Sequence, residues 1–222
     1  MAAHKTNQSH ETRAMIVKTA KELFMAYGYR AVSTRQIADA CALTQPALYH
    51  HFSDKQSLYV DVMRYVCEGT RKTLERIIHR GPAIHECLLH VTTYMIVNHP
   101  EDLGQMFHDI RHELSPESQA AVYALWRTAY LAPIVSIFEN GQRTGELRSS
   151  GQSGIDAERS ALLLMGLINQ TLAAQAVGTP GSTAAKSAGE GAGRNINACK
   201  QQALMLVNVL LYGLSAAEPP SV

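Results

Sequence analysis

The sequence predicts an all-α protein, a short N-terminal three-helix unit followed by a larger helical part. Three observations carry this. Apolar residues recur at spacings of three and four along most of the chain, and period-two runs bounded by turn residues are nearly absent. Capping boxes, first-turn prolines and terminal glycines punctuate those stretches at helix-like intervals. The 222 residues, 46% hydrophobic and 18% charged, suffice for one or two domains with sizeable cores.

The first helix is expected over about Glu11–Tyr27, where Ile16, Ala20, Leu23, Phe24 and Tyr27 form one apolar stripe. Gly28 stands where a left-handed cap is wanted. Ser33 and Gln36 form a capping box that starts a helix at Thr34, with Ile37 and Ala38 inward and an end near Cys41. A turn, Ala42-Leu43-Thr44, leads to a second short helix opened by Gln45 and Pro46, with Leu48 and Phe52 inward. Ser53 and Gln56 read as another capping box, opening a long helix that Gly81-Pro82 stops.

Further helices are expected over Ala83–Asn98, with Ile84, Cys87, Leu88, Val91, Tyr94 and Met95 buried, and over Glu101–Glu113. Ser115-Pro116-Glu117 starts a helix running to about Asn140, bent at Pro133 and ended by Gly141 and Gly145. Gly145–Gly154 reads as loop, and Asp156–Val177 and Asn195–Leu214 as helices. The Gly-, Ala- and Ser-rich segment between them reads as a flexible loop.

The net charge of +1 argues against a polyanion partner until it is divided. Residues 1–55 hold seven Lys/Arg against four Asp/Glu, whereas residues 56–222 hold thirteen against fifteen. The basic end therefore suits a polyanion and the remainder a different task. No apolar stretch approaches the ~20 residues of a bilayer span. No apolar leader opens the chain, so a cytoplasmic protein with reduced cysteines is expected.

Two short helices joined by a three-residue turn and preceded by a packing helix make a helix-turn-helix. The second short helix has the size to enter a major groove. Gln45 at its start can bond adenine bidentately, and Arg35 can bond guanine O6 and N7. Tyr49, His50 and His51 project from the same helix as Gln45, and Thr34, Ser53 and Lys55 lie at helix starts, where phosphates are gripped. By geometry alone a three-helix interaction module without a DNA role stays open.

The runs STRQIA and LTQPALYHHF, followed by Lys55, resemble the DNA-binding signature of the TetR family of transcriptional regulators over about residues 10–60. The resemblance implies that Arg35 and Gln45 touch bases, as does Ala47 through its methyl group, with Pro46 beside them at a reading position. It implies that Thr34, Tyr49, His51 and Lys55 hold the backbone, with His50 on either. The family usually has Gly in the turn where this chain has Ala42, and a left-handed Ala costs roughly 1 kcal/mol against Gly.

Ala161–Ile168 and Ala203–Val207 are apolar nearly all round, so the last two helices, about 158–177 and 195–214, are expected to be buried on more than one side. The same pair in a second chain is the simplest cover, giving a two-fold four-helix bundle; a monomer with an internal hairpin is the alternative. The family pattern also implies a ligand cavity among the middle helices. Met63, Tyr94, Met95, Phe107, Tyr123, Trp126 and Tyr130 are candidates to line it, with His108, Arg111, Arg127 and Asn169 as polar groups. His108 and His112 stand four apart, but no third ligand is evident nearby, so no metal and no cofactor is expected.

The expected organisation is a flexible N-terminus (1–9), a helix-turn-helix DNA-binding domain (10–55) and a helical ligand-binding and dimerisation domain (56–216). The last holds a flexible loop at 178–195, and a tail (217–222) follows. The expected function is a ligand-responsive transcriptional regulator of repressor type, binding a palindromic operator as a homodimer and released by a small-molecule inducer. The alternative is a helical small-molecule-binding or enzymatic protein with a non-functional DNA-binding module. No nucleophile elbow, phosphate-binding glycine loop or zinc ribbon supports an enzyme.

Overall fold

The computed structural model describes residues 2–81, 83–98, 110–177 and 195–213, and these are all-helical with turns. The expected helix 101–113 is described only from residue 110, and the glycine-rich segment 178–194, the tail 217–222, Phe107 and His108 lie outside the described residues. The chain divides into two compact units. Among the described residues one takes 2–72 and 110–130, and the other is drawn from 73–98 and 131–213.

In the first unit, α1 (Ala2–Tyr27) begins well before the expected Glu11. It buries Ile16, Val17, Ala20 and Phe24 along one face, but Tyr27, expected on that stripe, is 58% exposed. The reason is that Gly28 turns the chain at φ 81°, so the last residue before it sits past the end of the core-facing stripe. α2 (Thr34–Ala40) starts on the expected box: Ser33 Oγ accepts from Gln36 N–H at 3.2 Å, and Ser33 N–H donates to Gln36 Oε1 at 2.8 Å. α3 (Gln45–Tyr49) is capped by Thr44, whose hydroxyl accepts from Ala47 N–H.

α4 (Lys55–His79) starts differently from the expected Ser53/Gln56 box. Ser57 N–H donates to Asp54 Oδ1 at 2.7 Å and Asp54 N–H to Ser57 Oγ at 3.2 Å, so the reciprocal pair is shifted by one residue. Gln56 is engaged elsewhere, accepting from the Ser115 backbone N–H at 2.9 Å. The first half of α4 carries the core of this unit, burying Leu58, Tyr59, Val62 and Met63 against α1–α3, which is why the unit extends past the expected boundary at residue 55.

α6 (Pro116–Trp126) follows the expected Ser115 cap and packs Val122 into the same core. It runs into a π-helical turn over Arg127–Leu131 and then α7 (Ala132–Thr144). The expected irregularity at Pro133 thus takes the form of a wide turn just before it. A proline has no N–H to give and its ring crowds the carbonyl four residues back, and a π-turn relieves both.

In the second unit, α5 (Ile84–Asn98) packs on α10 (Ile196–Tyr212) and α7. α9 (Ala157–Val177) packs on α7 and α10. Gly141 does not end α7, as expected, but lies inside it. A Cβ there would run into Ile84 and Leu147, so the glycine permits close approach. Gly145, at φ 81°, supplies the stop. The expected loop 145–154 contains one further helical turn, α8 (Ser150–Ser153).

The helical run Pro116–Thr144 is long and apolar enough to cross a bilayer by length and composition alone. Leu131, Ile134, Ile137 and Phe138 within it are nonetheless buried inside the protein, as in a core helix. All four cysteines are buried and unpaired, and burial pushes the Cys67 and Cys87 thiols up to about 11, which keeps them protonated at neutral pH.

Candidate DNA-binding site

The site is built on the α2–turn–α3 unit. Leu43 N–H donates to Ala38 O at 2.9 Å and Ala42 N–H to Asp39 O at 3.0 Å, the two bonds of a Schellman turn. Its left-handed position is occupied by Ala42 at φ 54°, so the turn keeps the conformation a glycine would favour. This fixes α3 against α2, with Ile37, Ala38 and Leu48 buried between them and α1.

What remains outside is polar. Arg35, Pro46, Tyr49 and His50 are exposed, whereas Gln45, Ala47, His51 and Lys55 are half-buried. Arg35 has no ion pair among the described residues. Thr34, expected at the surface, is buried, and it joins two of its neighbours. Gln45 Nε2 donates to Thr34 Oγ1 at 3.0 Å, and Thr34 Oγ1 lies 3.1 Å from Tyr49 Oη. Three of the expected contacts, Thr34, Gln45 and Tyr49, are thus joined by hydrogen bonds.

Two supports were not visible in sequence. Phe24, Tyr29 and Tyr59 form an aromatic cluster with ring centroids 4.9–5.7 Å apart, and Lys55 Nζ sits 4.2 Å over the Tyr29 ring. That anchors the ammonium at the start of α4. Buried Asp61 on α4 is paired with Arg13 of α1 and with Arg64, and the Arg13 guanidinium lies 4.6 Å over Phe52. Apart from Asp61 and Arg64, three residues apart on α4, only tertiary proximity joins these groups.

The candidate ligand-cavity residues that the structure describes are divided between the two units. Met63 is buried in the core of the first unit. In the same unit Tyr123 and Trp126 stack on α6 at 5.7 Å, Tyr130 Oη accepts from Thr70 Oγ1, and Arg111 and Arg127 are exposed. In the second unit Met95 is buried and Asn169 exposed. Tyr94 lines a groove of about 510 Å³ between α5 and α10, together with Leu89, His90, Val97, Lys200 and Leu204. Thr92 on α5 is fully buried, and its hydroxyl has no hydrogen-bond partner among the described residues.

Comparison with known proteins bears on both parts. Residues 16–62 match the family described as "Bacterial regulatory proteins, tetR family". The chain is 26% identical over 151 residues to the HTH-type transcriptional repressor KstR2 of Rhodococcus jostii, covering 66% of this chain and 73% of that protein. It is 25% identical over 162 residues to the HTH-type transcriptional activator FasR of Mycolicibacterium smegmatis, covering 71% and 68%. The fold is shared with the transcriptional regulator FadR of Bacillus subtilis, solved with stearoyl-CoA, at TM-score 0.69 and 16% identity over 91% of this chain and 99% of that one. The helix-turn-helix of residues 16–62 is thus that of the bacterial tetR-family regulatory proteins, and the chain is similar over about two thirds of its length to HTH-type transcriptional regulators and shares the fold of FadR.

Proposed function

We propose that this regulator acts as a homodimer of repressor type, binding a palindromic operator and released by a small-molecule inducer. The observation that carries the DNA-facing half is the polar face of α2 and α3, held rigid by the Ser33 box, the Ala42 turn and the bonds to Thr34. Residues 10–55 are assigned the operator. Arg35 and Gln45 read bases, Ala47 offers a methyl contact, and Pro46 fixes the start of the reading helix. Tyr49, His51 and Lys55 hold phosphates, with Thr34 beside them and His50 on either.

Dimerisation is assigned to α9 and α10. α9 buries Ala157, Ala161, Leu164, Met165 and Ile168 on one face, yet Leu162 and Leu163 on α9 and Leu204 and Met205 on α10 are 40–53% exposed. Apolar surface of this extent on paired helices favours a second copy, and a two-fold pair presents two reading helices to half-sites about one helical turn apart.

The ligand is assigned to the second unit, at the groove between α5 and α10. Tyr94, in the groove with His90 and Lys200, offers an apolar surface beside polar and cationic groups. Because FadR of the same fold is described with stearoyl-CoA, an acyl-CoA is the ligand class to assay first. Binding of a ligand to one of two conformations lowers operator affinity only by its preference between them.

The test is a mobility shift at stated salt, using full-length protein, DNA from beside its own gene and a scrambled duplex of equal length. The expected result is a palindromic site bound with dimer stoichiometry and released as an acyl-CoA is titrated. Equal, salt-sensitive binding to both duplexes contradicts the DNA assignment, and no release at saturation removes that ligand class.

A further inference from the structure

The family resemblance implies that Thr34 grips the phosphate backbone, yet this residue is only 8% exposed and its hydroxyl is engaged within the protein. A hydroxyl carries one proton and two lone pairs. Gln45 Nε2 donates into one lone pair at 3.0 Å. The buried Thr34 proton then needs an acceptor, and Tyr49 Oη, 3.1 Å away, is the one the described residues offer. Donation therefore runs from Gln45 to Thr34 to Tyr49, and the phenol proton is left to point outward on a side chain that is 44% exposed.

We infer that Thr34 is a specificity-determining positioning residue, whose hydroxyl fixes the orientation of the Gln45 amide and couples it to the outward hydroxyl of Tyr49. With one amide hydrogen bonded to Thr34, Gln45 offers Oε1 and its second N–H to the groove as a fixed acceptor–donor pair. That pair complements the N6–H and N7 of adenine. Rotating the amide by half a turn exchanges acceptor and donor and spoils the match. Without the Thr34 hydroxyl both orientations are open, and the preference between bases fades. The same chain orients the Tyr49 proton toward a phosphate, so base reading and backbone contact are set by one buried hydroxyl. This inference rests on the proposal that Gln45 reads a base.

The test uses the full-length protein and duplexes recovered by selection from a random pool, remade with each of the four base pairs at the position that Gln45→Ala flattens. Thr34→Val is expected to cut discrimination at that position by about tenfold, the value of one good side-chain pair to a base. Thr34→Ser, which restores the hydroxyl, is expected to keep the unmodified ranking. Tyr49→Phe removes the acceptor of the Thr34 proton and frees it to bond Gln45 Oε1, so it is expected to weaken all four duplexes and also to reduce the preference among them. Thr34→Ala gives the same readout should the valine variant fail to fold, as judged by circular dichroism. The inference is overturned, with base reading intact, if Thr34→Val and Thr34→Ala bind all four with the unmodified ranking while Gln45→Ala flattens it. If Gln45→Ala itself alters no position, base reading fails and the positioning role falls with it.

Discussion

In the α2–α3 unit the large aliphatic side chains turn inward: Ile37 and Leu48 are buried with Ala38 and Leu43 is half-buried, whereas Arg35, Tyr49 and His50 face outward. In α9 and α10 one apolar set is buried, with Leu164, Ile168, Ala203 and Val207 fully enclosed, and a second set, Leu162, Leu163, Leu204 and Met205, is left at the surface. The first surface is polar and already organised by its own hydrogen bonds. The second is apolar and gains nothing from water, so its stabilisation lies in another apolar surface. One region is finished for a polar, charged partner, and the other calls for more of its own kind.

The sharpest way to break this contrast is to change neighbouring residues on α9 that differ only in which side they face. Leu164→Ala is expected to cost about 3 kcal/mol in urea unfolding, because the cavity forms inside the protomer. Leu162→Asp together with Met205→Asp is expected to leave the protomer folded, convert dimer to monomer in sedimentation, and lower operator affinity by about a hundredfold through lost bivalency. If the double variant still sediments as a dimer, α9 and α10 are not the pairing surface.

In the first unit the corresponding internal support is the ion pair of Asp61. Arg13→Ala leaves that buried carboxylate with Arg64 alone, which is expected to cost roughly 1–2 kcal/mol, the lower end reflecting partial exposure of the arginine. Unfolding by urea measures it, and an unchanged midpoint contradicts the support. Lys55→Ala acts on the outward side of the same unit. It is expected to weaken binding to all sequences alike and to make the salt dependence shallower by about one unit for each head. A change in base preference there contradicts the assignment to phosphate. The smallest effect is Ala42→Gly, expected to stabilise by about 1 kcal/mol by relieving the left-handed alanine, read as a rise of a few degrees in Tm.

Much of this architecture was legible because helix ends are written locally. Ser33 with Gln36, Thr44 before Pro46, Ser115 before Pro116 and Asn195 before α10 each cap a helix using residues two or three positions away. The apolar pattern of α9 likewise announced two buried sides, and the structure shows one of them filled. What was not legible depends on distant partners. Gln56 was available for a capping box by spacing, but Ser115, 59 residues away, claims it, and Asp54 with Ser57 takes over. Gly141 looked like a stop and proved to be a place where Ile84 and Leu147 come close.

The DNA-facing residues show the same division. Their identities stand in two short runs of sequence, so which side chains face outward from α2 and α3 was open to reading. That Thr34 turns inward and holds Gln45 eleven residues on and Tyr49 fifteen residues on follows only from how the two helices cross. The seat of Lys55 on the Tyr29 ring is likewise a product of tertiary packing.

The central claim is that the α2–α3 face reads sequence, and selection from a random duplex pool by the full-length protein and by Gln45→Ala tests it most directly. The account predicts an inverted repeat enriched by the unmodified protein, and a profile for Gln45→Ala that loses preference at one position in each half-site and keeps the rest. A pool without enrichment, or a Gln45→Ala profile identical to that of the unmodified protein, contradicts it.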